Sequence, residues 1–92
     1  MTFLVGSRNF QKQVEKLSVK DQEKVLQTLK TFRAAIAQGD TSKGLGFKKL
    51  DHDKYEIRVD LRTRIGMTKS SDTFILHFIG NHEDIQNFLK NY

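Results

Sequence analysis

The sequence predicts an α+β domain, and three observations carry that expectation. Apolar residues recur at helical spacing from Phe10 to Ile36. Beyond Gly46 the period falls to two, the signature of strands with one covered face. A last segment, Glu83–Asn91, returns to helical spacing through Ile85, Phe88 and Leu89. The order is an N-terminal strand, an antiparallel two-helix hairpin, a mostly antiparallel four-stranded sheet and a short C-terminal helix. At 92 residues the chain has room for one core, so residues 1–92 are read as a single domain.

Each element has its own signal. Thr2–Val5 is short and β-prone, and Gly6 ends it. Ser7 is a plausible N-cap for a helix buried through Phe10, Val14 and Leu17. Ser18 opens a second helix, with Asp21 in its first turn and Val25, Leu29, Phe32 and Ile36 on one stripe that Leu26 widens. Gly39 is a C-terminal stop, and Asp40–Gly46 reads as a loop. Strands are expected over Phe47–Leu50, Lys54–Leu61, Arg64–Lys69 and Thr73–Ile79, with turns near Asp51–Asp53 and Ser70–Asp72. The continuous apolar run of Phe74–Ile79 predicts a central strand covered on both faces.

Composition narrows the function classes. The hydrophobic share of 37% and charged share of 29% fit a folded soluble domain. With no cysteine there is neither a disulfide framework nor a thiolate metal site, and a reducing compartment is favoured. The short apolar start lacks a basic leader, no stretch is long enough to span a bilayer, and the cytoplasm is the expected location. A net charge of +5 points to an acidic partner, nucleic acid or protein.

The segment Tyr55–Met67 concentrates the chemistry. Tyr55, Ile57, Val59 and Leu61 form an inward row, while Glu56, Arg58 and Asp60 face outward and lead on to Arg62 and Arg64. Arginines on such a face can grip phosphates and stabilise a pentavalent phosphorane, and Glu56 can help to activate a 2′-hydroxyl. Cross-strand ion pairs on a solvated sheet give the same pattern. Lys48 and Lys49 are phosphate clamps or guards of a sheet edge, and at most one shares a face with Arg58. His82, after Gly80-Asn81, stands where a histidine can protonate a leaving 5′-oxygen, or it simply caps the last helix. His77 reads as a packed, hydrogen-bonded residue and His52 as an exposed one. Three scattered histidines without cysteine do not make a metal site, and no cofactor motif is present.

These residues resemble the RelE/ParE superfamily of toxins from bacterial type II toxin–antitoxin systems. The resemblance rests on Lys49-Leu50, Tyr55-Glu56-Ile57-Arg58-Val59, Leu61, Arg64-Ile65 and Gly80-Asn81-His82-Glu83-Asp84-Ile85, followed by Phe88-Leu89. It extends over the N-terminal strand and helical hairpin, nearly the whole chain. It implies a toxin that enters the ribosomal A site and cuts mRNA without a metal, leaving a 2′,3′-cyclic phosphate. Arg58 and Arg64 match arginines of the family's central hairpin. His82 matches the histidine or arginine after the last-strand glycine, and Glu56 a carboxylate of some ribosome-dependent members. Lys48 and Lys49 fall where members keep phosphate-contacting lysines.

The resemblance also implies partners: a cognate antitoxin over the basic sheet face or C-terminal helix, the ribosome with its mRNA, and operator DNA through the antitoxin complex. Two departures stand out. Where many members carry an aromatic residue this chain has Gln86 and Asn87, leaving Tyr92 as the residue to substitute. The C-terminal helix is similar to that of the ParE-like branch, which inhibits DNA gyrase. The expected function is therefore a ribosome-dependent mRNA endonuclease toxin. Arg58 and Arg64 hold the phosphate, with Arg62 and the lysines as further RNA contacts; His82 is the acid and Glu56 or Lys49 the base. A gyrase inhibitor of the same fold, or a basic RNA-binding module without catalysis, is the alternative.

Overall fold

The computed structural model describes residues 2–40 and 46–91. The middle of the expected loop and Tyr92 lie outside the described residues. Two serines start the helical hairpin. Ser7 Oγ accepts from Phe10 N at 3.1 Å, opening α1 (Arg8–Glu15), and Ser18 Oγ accepts from Asp21 N at 3.2 Å, opening α2 (Val19–Ala37). At the far end Gly39 takes φ +73°, and Asp40 N reaches back to Ala35 O, the left-handed closure that glycine permits.

The strands are β1 (Phe3–Gly6), β2 (Lys48–Asp51), β3 (Lys54–Arg58), β4 (Arg64–Ser70) and β5 (Thr73–Gly80). They form one sheet in the order β1-β5-β4-β3-β2. The last four strands are antiparallel, and β1 joins as a fifth strand parallel to β5. The hairpin covers one face. Phe10, Val25 and Phe32 pack there on Ile57, Ile65, Met67, Phe74 and Leu76, with Phe32 ring-to-ring against Phe47 and Phe74 at 4.8 and 5.4 Å.

The second face is covered by α3 (His82–Asn91), which buries Ile85 and Phe88. Gly66 makes room for this layer: a Cβ there would fall 2.3 Å from the Phe78 ring, which itself packs on Phe88 at 5.2 Å. A bulge at His77, where Phe78 pairs with Gly66 but Leu76 with Met67, leaves both His77 and Phe78 beside Phe88. Lys54 Nζ donates to Phe88 O and Leu89 O, a cation at the C-terminal end of α3.

One expectation needs correction. β3 stops at Arg58, not Leu61, and Leu61 is 86% exposed rather than inward. The cause is Asp60: its Oδ1 accepts from Arg62 N and Thr63 N, both at 2.9 Å, closing a turn that outcompetes strand pairing. Past Gly6, β5 has no strand neighbour on the β1 side among the described residues, and the side chains of α1 and its cap serve instead. Gln13 Nε2 donates to Ile79 O at 3.0 Å while its Oε1 accepts from Ile79 N at 2.8 Å. Ser7 and Asn9 donate to His77 O.

Candidate functional site

The register of β3 and β4 decides the site. Arg58 lies directly opposite Arg64, and Glu56 opposite Gly66. Like charges facing one another across a ladder repel. Glu56, two residues along from Arg58, relieves this: Arg64 Nε donates to Glu56 Oε2 at 2.9 Å, with both side chains largely covered. Glu56 was expected on a solvated row, yet only 8% of it is exposed. A carboxylate so placed needs its cation. Arg58 is different: its guanidinium has no hydrogen-bond or ion-pair partner among the described residues.

The neighbouring elements finish the cleft. Lys48 pairs with Glu56 in register, so it stands on the same face, and Leu50, two residues on, shares that face and lines the cleft. Gly46, at φ +64°, passes so close to Arg58 that an added Cβ would sit 2.6 Å from the Arg58 Cβ. From the far side comes the start of α3. Asp84 N donates to Asn81 Oδ1 at 3.0 Å and Asn81 N donates to Asp84 Oδ2 at 2.8 Å, a reciprocal cap. Gly80 permits it, because a Cβ there would lie 2.5 Å from Asp84 Oδ2. Asn81 is thus the cap, and His82 is the first helical residue.

The result is a cleft of about 320 Å³ that brings together Lys48, Glu56, Arg58, Arg64 and His82. Phe47, Leu50 and Gln86 complete its wall. Two residues expected at the site are not in it. Lys49 points to the other side of the sheet, with Nζ 5.9 Å from the Tyr55 ring centre. Arg62 is exposed on the Asp60 turn. A roomier groove of about 390 Å³ between α1 and α3 is lined by amides, and its one charge, Asp84, is spent on the helix cap. His77 lies outside the cleft, with Nε2 2.8 Å from Thr68 Oγ1, and burial holds its pKa below the ordinary 6.5 against an opposing pull from Asp53. His52 is exposed. The helical spacing of His82 and Gln86 and the two-residue spacing of Lys48 and Leu50 were both visible in the sequence and pointed to shared faces.

A guanidinium without a partner among the described residues, a second one fixed by a buried carboxylate, a lysine and a histidine can together hold a phosphate and move a proton beside it. No family model matches the sequence, and no curated protein matches it significantly. Solved structures do match. The RelB–RelE antitoxin–toxin complex of Methanococcus jannaschii superposes with a TM-score of 0.66 at 17% identity, covering 91% of this chain and 96% of that one. The YoeB dimer of Staphylococcus aureus gives 0.65 at 14%, covering 88% and 97%. The DinJ–YafQ complex of E. coli gives 0.64 at 12%, covering 92% and 98%. The chain has the RelE/ParE toxin fold. Within that fold its cleft sits where β3 and β4 meet the N-terminal end of α3.

Proposed function

We propose that this chain is the toxin of a type II toxin–antitoxin pair and cuts mRNA on the ribosome. The observation that carries this reading is Arg58, without a polar partner among the described residues, facing the Arg64–Glu56 pair in the cleft that His82 also lines. Arg58 and Arg64 bind the non-bridging oxygens of the scissile phosphate and stabilise the charge gained in the phosphorane. Arg64 already holds Oε2 of Glu56, so Oε1 is the atom that takes the 2′-hydroxyl proton. The O2′–P bond forms, the P–O5′ bond breaks, and His82 donates a proton to the departing 5′-oxygen. The ends are a 2′,3′-cyclic phosphate and a 5′-hydroxyl. Lys49, on the other side of the sheet, drops out as a base.

The partner reading has two supports. RelE and YafQ were each solved with an antitoxin, RelB and DinJ, and the net charge of +5 suits an acidic mate. Induction of the wild type should arrest growth and yield mRNA fragments with 5′-hydroxyl ends, and Arg58→Ala or His82→Ala should abolish both. Fragments unaffected by either substitution would refute the mechanism. Accumulation of gyrase–DNA breaks without mRNA fragments would mark a gyrase inhibitor instead.

A further inference from the structure

The mechanism above uses Glu56, Arg58, Arg64 and His82, with Lys48 a further cation for phosphate; Phe47 is committed to the core, and two walls of the cleft have no role, Gln86 and Leu50. Gln86 stands four residues after His82, one helical turn on, and therefore on the same face of α3. It is exposed, and its carboxamide has no partner among the described residues. A carboxamide is neutral, so it offers a phosphate little; it carries a paired donor and acceptor, which is what the edge of a nucleobase requires. Leu50, two residues along β2 from Lys48 and on the same face, adds an apolar wall for the flat side of a base. Sequence-specific contacts to RNA are made to unstacked bases in this way, by an edge contact and a face contact.

We infer that Gln86 selects the nucleotide bordering the cut bond, and that the base it selects is adenine. Adenine presents an acceptor beside an amino group, which a glutamine amide meets with two hydrogen bonds at once. This rests on the nuclease reading and adds a residue and a base to it. Lys48, Arg58 and Arg64 see only phosphate, which every nucleotide has, so discrimination falls to the uncharged part of the wall.

The test maps 5′ ends by sequencing after wild-type protein acts on a translated mRNA pool with randomised codons. Wild type is expected to cut about tenfold more often where adenine borders the bond than elsewhere. In Gln86→Ala that ratio should fall to about one, with total cleavage kept within about threefold. Gln86→Glu, an acceptor only, should move the preference toward cytosine. Gln86 is exposed on a helix, so both variants fold and melting curves verify it. An unchanged ratio in Gln86→Ala overturns the inference, as does an equal loss of cutting at every site, which would make Gln86 a positioning residue. A wild type that yields no new ends at all overturns the nuclease reading, and this inference with it.

Discussion

Arg58 and Arg64 occupy matched positions on adjacent strands, yet substitution should separate them. Removing Arg64 strands the Glu56 carboxylate in a covered site, a loss of about 2 kcal/mol. In a chain of this size that lowers Tm by about 10 °C. Arg58 makes no side-chain hydrogen bond or ion pair among the described residues, so Arg58→Ala should leave Tm nearly unchanged while cutting falls at least about a hundredfold. Scanning fluorimetry beside a cleavage assay distinguishes the two. His77 makes a separate prediction. Its folded pKa lies below the unfolded one, so as pH falls through about 6.5 the unfolded chain gains a proton that the folded chain resists. Stability from this group is complete above that value, declines below it, and levels off under the lowered folded pKa. His77→Gln should flatten this part of a plot of Tm against pH.

At the scale of elements, α3 is both a lid on the second sheet face and the carrier of His82. Its reciprocal cap is worth about 1 kcal/mol. Asn81→Ala should therefore lower stability by that amount and reduce kcat more than it raises KM, since the first turn presents the proposed acid. The helices were readable because Ser7, Ser18 and the apolar stripes act locally. Elsewhere the alternation misled. Val59 and Leu61 prolong the β3 pattern, but Asp60 captures two backbone N–H groups and ends the strand. The two bulges, at Leu50 and His77, depend on pairing with another strand, which no single segment can announce. For the same reason alternation alone grouped Lys49 and Arg62 with Arg58 and Arg64, although neither of them lines the cleft. Alternation ranks faces within one strand; it does not say where a strand stops or which of two lysines its neighbour brings across.

Taken as a whole, the molecule should bind RNA mainly through charge. Lys48, Arg58 and Arg64 amount to about three phosphate contacts, so log affinity should fall against log salt with a slope near −2, and Arg58→Ala should remove about 0.7 of it. Filter binding to single-stranded RNA at stepped salt measures both. The parallel pairing of β1 with β5 has a different consequence, in the order of folding. Ser7 and His77, which touch, are 70 residues apart, and Phe3 meets Thr73 only after every intervening element has been made. A contact across so long a loop forms late and slowly. During synthesis the apolar stripe of the hairpin has no sheet to cover, and the first strand waits for the last. His82 and Gln86 follow that last strand, so the cleft closes only once almost all of the described chain has left the ribosome. The proposed site is thus assembled only after both the first strand and the last have been made and paired.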